Sequence, residues 1–406
     1  MKTEEMDKNL KIYNEGSKYL MNTYSRLPVV FVKGEMQYLW DANGQKYLDF
    51  IAGYGCLNVG HSNKFVMGKL KKQIDNIIQP SNVYHNKTQV ELAKKLCNLT
   101  NFGEKVFFAN SGTEAIEGAI KLARKFSKNK YNPDKYRIIS FYKSFHGRTL
   151  GALSATAQTK KQEVFKPLIE GFDYARLNDI DSVKRKINKN TCAILIEPIQ
   201  GEGGININDK KFLTWIRKIC SENKILLILD EVQTGFGRTG EMFAYQNYGI
   251  KPDIMVVAKS LGGGMPIGAI ISTDDISSAF NPGDHGSTFG GNAASCAAGC
   301  AVIDYILKNG LIDKSREMGK YFLNKLKGIK KKYTIIKDVR GIGLMLAMEF
   351  REEVADILVR NALKDYIILN KVSGSILRFL PPLMITKDNI NTLMKWLDKN
   401  IGDLQK

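Results

Sequence analysis

The chain has 406 residues, of which 44% are hydrophobic and 25% charged, which is enough length and apolar content for a globular core shared by two domains. No apolar run approaches the roughly 20 residues of a membrane helix, and residues 1–7 carry charges with no apolar stretch behind them, so neither a membrane span nor a signal peptide is expected. The net charge of +19 is dispersed in short mixed runs without a basic-aromatic recognition motif or zinc-finger spacing, which argues against nucleic acid and for a solvated basic surface that helps attract anionic small molecules.

In chain order, residues 8–24 carry a mixed helical period. Residues 29–32, 38–41 and 47–50 read as short strands, with Asn43-Gly44 as a hairpin turn. Segments 65–78 and 89–99 repeat apolar residues at helical spacing. From about residue 104 strands alternate with helices: strands at 105–108, 137–141, 192–196, 225–229, 254–257 and 269–271, with helices such as 114–126 and 210–222 between them. This alternation predicts an α/β fold, a mostly parallel sheet with helices on both faces. A long helix follows from 292 to about 309, and the tail, with runs at 341–344 and 377–382, reads as a smaller α+β unit. The N-terminal strands are expected to pack with that tail. The predicted organisation is a discontinuous small domain, residues 1–60 and 310–406, around a large domain, 61–309. Six cysteines without a CxxC pair and four scattered histidines suggest reduced thiols in a cytoplasmic protein and no metal site.

Chemistry-bearing residues collect where the predicted strands end. Residues 225–229 stop on Asp230 and Glu231, and residues 254–257 stop on Ala258-Lys259 ahead of Gly262-Gly263-Gly264. Short apolar runs bounded by turn signals read as buried parallel strands, and ligands of open α/β sheets gather at their carboxyl ends. A carboxylate and a lysine far apart in sequence are thus delivered to one rim. A lysine there can be deprotonated by desolvation and neighbouring charge, and then attack a carbonyl. Ser111-Gly112-Thr113 follows a strand and opens a helix, where N–H groups, the helix dipole and two hydroxyls favour an anion. A plain N-cap with Glu114 in the first turn accounts for the same residues. Neither GxGxxG nor GxxxxGK[ST] occurs, which disfavours a dinucleotide or P-loop site. Residues 144–149 bring an aromatic (Phe145), a glycine (Gly147) and a guanidinium (Arg148) to the rim, arginine being suited to bidentate carboxylate binding; a surface loop is the alternative. Glu197 and Glu202 bracket a glycine-rich loop and can pair with cations or act in acid–base work. Residues 286–292, including Thr288, form another small-residue loop before a helix. A phosphate cradle, a carboxylate, a Schiff-base lysine, a flat aromatic and an arginine are what pyridoxal 5'-phosphate (PLP) needs.

With these motifs in this order the chain resembles the class III (subgroup II) PLP-dependent aminotransferases of fold type I, on the acetylornithine branch. The resemblance covers nearly the whole chain, from Met21-Asn22-Thr23-Tyr24 to residues 377–383. It implies that Lys259 holds the cofactor's aldehyde and shuttles a proton, that Asp230 pairs with the pyridine nitrogen and that Gln233 contacts the ring hydroxyl. Phe145 and Val232 would flank the ring, and Ser111, Gly112 and Thr113 would hold the phosphate. Thr288 would reach the phosphate of a neighbouring subunit, which implies a homodimer with shared sites. Arg148 would bind the α-carboxylate of an ornithine-type donor and the distal carboxylate of glutamate. Arg378 would take the α-carboxylate of glutamate, and Glu202 would mask Arg378 while the other donor is bound. The implied reaction moves the δ-amino group of N2-acetylornithine to 2-oxoglutarate, giving N-acetylglutamate 5-semialdehyde and glutamate in arginine biosynthesis. Ornithine, succinylornithine, N-succinyl-diaminopimelate and 4-aminobutyrate are the alternative amines.

The sequence departs from that pattern twice. Tyr54 stands where acetylornithine enzymes carry a branched aliphatic residue, and is similar to ornithine aminotransferases, where the hydroxyl helps hold the donor carboxylate. Gly60-His61-Ser62-Asn63 replaces Gly-His-x-His-Pro, with an expected effect on a helix start only. Phe243-Ala244-Tyr245 and residues 283–286 still favour the acetylornithine branch.

Overall fold

The apolar runs that end on Asp230 and Lys259 lie side by side at the centre of a seven-stranded sheet. The computed structural model describes residues 7–405, so the leader reading of residues 1–6 lies outside the described residues. In chain order the sheet contains β1 (Lys105–Ala109), β2 (Arg137–Phe141), β3 (Phe172–Ala175), β4 (Thr191–Ile196), β5 (Leu226–Asp230), β6 (Ile254–Val257) and β7 (Gly268–Ser272). Their spatial order is β1-β7-β6-β5-β4-β2-β3. Strands β6, β5, β4, β2 and β3 pair in parallel, whereas β7 runs antiparallel to both β6 and β1. Every residue of β4, β5 and β6 is buried, as strands covered on both faces require. The expected set of strands lacks β3, whose Phe172-Asp173-Tyr174-Ala175 has no apolar run. As an edge strand it tolerates a charge, and Asp173 pairs with Arg137 of β2 at 2.8 Å.

Helix α1 (Gly112–Lys130) lays Ala115, Ile116, Ala119, Ile120 and Ala123 into the core. Helix α2 (Ala293–Lys308) is buried on most sides, and α3 (Leu311–Lys332) follows it after a bend of 66°. No single helix among the described residues is long and apolar enough to cross a membrane; the bent pair α2–α3 passes by length and composition, with its apolar side chains in the core.

The N-terminal helix is Lys8–Tyr19, shorter than residues 8–24, because Leu20 is extended. The first strand is Phe31–Glu35 rather than 29–32; it returns through Met36-Gln37, with Met36 at φ 53°, a turn that no glycine announces. Strands Phe31–Glu35, Tyr38–Asp41 and Lys46–Asp49 form one sheet with Ile367–Ile368, so the N-terminal strands and the tail do pair. A second tail sheet places Ile336–Ile342, Met345–Phe350, Ile376–Phe379 and Asn370–Ser373 in that order. Asn63 caps helix Lys64–Asn76 by accepting from Phe65 N and Val66 N, which is what the altered 60–63 stretch does locally.

Arg238 ties these parts together. Its guanidinium is fully buried and donates to the carbonyls of Leu344 (2.9 Å) and Pro381 (2.5 Å) and to Asn58 Oδ1. Burial pushes it down to about 9. The glycine-rich loop after β5 is thereby fastened to the C-terminal segment that carries Arg378.

Candidate active site

Asp230 is the last residue of β5 and pairs in register with Val256 of β6, three residues before Lys259. Both side chains line one cavity of about 400 Å³ at the carboxyl ends of the parallel strands. The Asp230 carboxylate is 5% exposed and accepts from His146 Nδ1 (2.7 Å) and Val232 N (3.0 Å). His146 is itself buried, and its Nε2 has no hydrogen-bond partner among the described residues.

Lys259 opens a tight turn, Lys259–Gly262, with φ at 46°. That left-handed conformation costs a side-chain-bearing residue about 1–3 kcal/mol and typically persists where surrounding structure enforces it. Its Nζ makes no hydrogen bond or close ion pair among the described residues. Burial lowers its ammonium below the ordinary lysine range; Glu202, Cys56 and Asp230 oppose the shift, and Arg378 adds to it. A lysine so placed, at the wall of the cavity, has the character of a nucleophilic amine.

At one end of the cavity Ser111 caps α1, its hydroxyl accepting from Glu114 N at 3.3 Å. The N-cap reading therefore holds; the N–H groups of Gly112 and Thr113, in the first helical turn, find no acceptor within the described chain and are open to an anion. Thr113 Oγ1 accepts from Arg148 N (3.2 Å) and Thr149 N (3.3 Å), which joins the cradle to the Phe145–Arg148 loop. A Cβ on Gly112 would lie 3.0 Å from Val232 Cγ1 and 3.1 Å from Cγ2, so any side chain there must push Val232 aside.

At the other end Arg378, 1% exposed, donates to Glu202 Oε1 (2.5 Å), Gly201 O (3.2 Å), Gln233 Oε1 (3.4 Å) and Asn370 Oδ1 (2.7 Å). Burial alone would raise Glu202, but the charge and hydrogen bond of Arg378 outweigh it and leave the carboxyl below its ordinary value. Tyr54, half exposed with φ at 61°, sits with its ring 5.6 Å from the Arg378 guanidinium and does not line the main cavity. Phe145, Arg148, Val232 and Gln233 do line it. Thr288 does not: it lies on an exposed loop over a separate cleft with Asn110 and His285.

Two residues carry more than their sequence context suggested. His146 received no role of its own, although it stands between Phe145 and Gly147-Arg148. Glu197 accepts from Phe145 N and Gly201 N, both at 3.2 Å, and so braces the two loops that present Phe145 and Glu202. Burial and then the neighbouring Asp230 hold its carboxyl well above the usual range.

Glu231, next to Asp230, faces away into the core. It accepts from the Thr234 hydroxyl, Ala244 N (3.0 Å) and Tyr245 N (2.7 Å). Burial outweighs those bonds and pushes it up from 4.5 to about 7. The folded state thus holds this proton more tightly than the unfolded chain. Its stabilisation is full below about pH 4.5 and is lost as pH rises to about 7, on the order of 3 kcal/mol. Urea unfolding should show a higher midpoint at pH 5 than at pH 8, with the gap narrowed in Glu231→Gln; an equal gap in both proteins would exclude Glu231 as its source.

The profile of the family Aminotransferase class-III matches residues 19–401. The chain belongs to the class-III aminotransferases. A relative from Caldanaerobacter subterraneus subsp. tengcongensis, described as an acetylornithine aminotransferase, is 48% identical, with 96% of this chain and 98% of the relative covered. Among solved structures, an ornithine aminotransferase from Toxoplasma gondii that shows partial occupancy of PLP at its active site aligns with TM-score 0.94 and 30% identity over 98% of this chain and 95% of that one. An acetylornithine aminotransferase from Elizabethkingia anophelis aligns with TM-score 0.88 and 31% identity, covering 97% and 99% of the two chains. This aminotransferase therefore has the fold type I architecture, and the rim that carries Asp230 and Lys259 is its candidate centre.

Proposed function

We propose that this aminotransferase uses PLP to move the δ-amino group of N2-acetylornithine to 2-oxoglutarate, giving N-acetylglutamate 5-semialdehyde and glutamate in arginine biosynthesis. The observation that carries the choice of amine is the 48% identity, end to end, with a relative described as an acetylornithine aminotransferase. The cavity chemistry fits the cofactor: unpaired N–H groups for a phosphate, a buried carboxylate for a ring nitrogen and an unpartnered amine for an aldehyde. When bound, PLP supplies that aldehyde and an electron-accepting ring.

The residues then divide the work. Ser111, Gly112 and Thr113 would hold the phosphate, Phe145 and Val232 would flank the ring, and Gln233 would meet the ring hydroxyl. Asp230, oriented by His146, holds a proton at the ring nitrogen. Lys259, its ammonium destabilised by burial, takes and returns a proton at Nζ. Arg148 binds the donor's carboxylate. One pocket must also accept a dicarboxylate, and Arg378 serves that need. Its pairing with Glu202 at 2.5 Å hides the charge while a donor without a second carboxylate is bound.

Thr288 serves the second subunit of a homodimer. It lies apart from its own chain's cavity, and Phe289, which lines the same cleft, is 62% exposed. Six free thiols suit a reducing compartment, and we assign the protein to the cytoplasm. The second reading is an ornithine aminotransferase, favoured by the Tyr54 ring beside Arg378.

A half-reaction panel separates the two. Holoenzyme is mixed with acetylornithine, ornithine or 4-aminobutyrate, and the cofactor's visible absorbance is followed. Acetylornithine should react fastest; a faster reaction with ornithine overturns the proposal, and Tyr54→Ile should then restore preference for the acetylated amine. In the same assay Glu202→Ala should raise the glutamate rate relative to the basic donor by roughly tenfold, equivalent to about 1.4 kcal/mol. An equal loss with both substrates rules out masking.

A further inference from the structure

Two cations share one aromatic ring beside the cavity. The Arg148 guanidinium carbon lies 5.7 Å from the Phe145 ring centroid and Lys161 Nζ lies 5.0 Å from it. Neither side chain makes a hydrogen bond or close ion pair among the described residues. Lys161 stands on the short helix Thr159–Gln162 and is half-buried, whereas Arg148 is exposed. Burial lowers the Lys161 ammonium, and Arg148 lowers it further; Glu202 and then Glu197 oppose the shift.

Holding two unpaired like charges together while partly stripping one of water is unfavourable. The arrangement becomes favourable when an anion lies between them, because both cations then gain an opposite charge and a hydrogen-bond acceptor. The available anion is defined by what surrounds the pair. Arg378 at the far end of the cavity is already occupied by Glu202, so a carboxylate entering the pocket meets Arg148 as an unpaired cation of its lining, with Lys161 held just behind that lining against the same Phe145 ring. A planar guanidinium fits one edge of a carboxylate, and a three-donor ammonium on a flexible stem reaches the remaining lone pairs.

We propose that Lys161 is a specificity-determining residue, forming with Arg148 a two-cation subsite for the substrate carboxylate remote from the Glu202–Arg378 pair. The inference rests on the reading of Arg148 as a carboxylate ligand but not on which amine is the donor. It extends that subsite from one fixed charge to two, and assigns to it carboxylate-bearing substrates of either half-reaction.

The test uses glutarate, a dicarboxylate with neither amino group nor ketone, titrated into holoenzyme by calorimetry. Lys161→Met, which keeps the length of the stem, should raise the glutarate Kd about tenfold, and Lys161→Arg should return it to within about threefold of wild type. The KM for 2-oxoglutarate should rise with the Kd in Lys161→Met, with kcat within about twofold of wild type, the pattern of uniform binding. If Lys161 only supports the Phe145 ring, the cofactor's absorbance and kcat change while the glutarate Kd stays put, and the proposal is overturned. Absence of glutarate binding to wild-type holoenzyme overturns it as well. A donor panel won by ornithine leaves these outcomes intact, since glutarate carries no amine.

Discussion

Lys259→Ala is expected to lower the transamination rate at least about 10⁴-fold, since it removes the group that we propose both engages the cofactor's carbonyl and moves the proton. The visible absorbance that PLP gives when joined to the protein should be lost with it. Lys259→Arg separates charge from nucleophilicity: a guanidinium keeps the positive charge yet stays protonated, so it should fail as fully as alanine. The lysine has the opposite property. Burial lowers its ammonium, so the neutral amine becomes available below the ordinary lysine range, and kcat should rise with pH through a limb that sits below that range. Since Lys259 has no hydrogen-bond partner to strand, unfolding midpoints of the variants should stay close to wild type. A Lys259→Ala protein that retains more than about a hundredth of the wild-type rate would place the proton transfer on another group, given the usual 10²–10⁴-fold worth of such a base.

The delivery of Asp230 and Lys259 to one rim was legible because the signal is local: an apolar run, a charged residue, then glycines. Parallel pairing of β5 with β6 turns two such endings into neighbours. The strands that went unread fail that pattern for physical reasons. Edge strand β3 is half polar, and the hairpin at Met36-Gln37 makes its turn with a left-handed methionine instead of glycine. Long-range pairings were legible only through resemblance. Nothing near Glu202 or Arg378 reveals that residues 176 positions apart meet at 2.5 Å. Arg238 is the extreme case, a charged residue in a glycine-rich loop whose carbonyl partners come from Leu344 and Pro381. Backbone acceptors leave no trace in side-chain patterns. Glu231 illustrates the converse: adjacent to Asp230 in sequence, it turns to the core because successive residues at a strand end point to opposite sides.

Asp230→Asn should lower kcat by about 10²–10³, the usual worth of a preorganised electrostatic partner at a reacting centre. The variant preserves shape, so the loss reports charge and hydrogen bonding. In the wild type His146 Nδ1 donates to Asp230 Oδ2 at 2.7 Å while Val232 N donates to Oδ1 at 3.0 Å, and a carboxylate accepts both. An asparagine has one oxygen for two donors. If that oxygen stays on Val232 N, the amide NH2 faces His146 Nδ1, and the ring must move its proton to Nε2. That nitrogen is buried without an acceptor among the described residues, so the new tautomer strands an N–H at a cost of about 1–3 kcal/mol. If the amide flips, Val232 N loses its acceptor, and Val232 is the residue that walls the cavity against Gly112. Either outcome loosens the carboxylate's replacement at the position where, in the proposed assignment, the ring nitrogen's proton would be held. His146→Gln, which retains a donor but not the ring's fixed orientation, should cost less, about tenfold, as second partners around a site do. The two variants are compared by kcat at saturating cofactor, with the cofactor Kd measured by absorbance. An Asp230→Asn enzyme within about tenfold of wild type at saturating cofactor, well short of the 10²–10³ expected of such a partner, would remove Asp230 from the reacting centre.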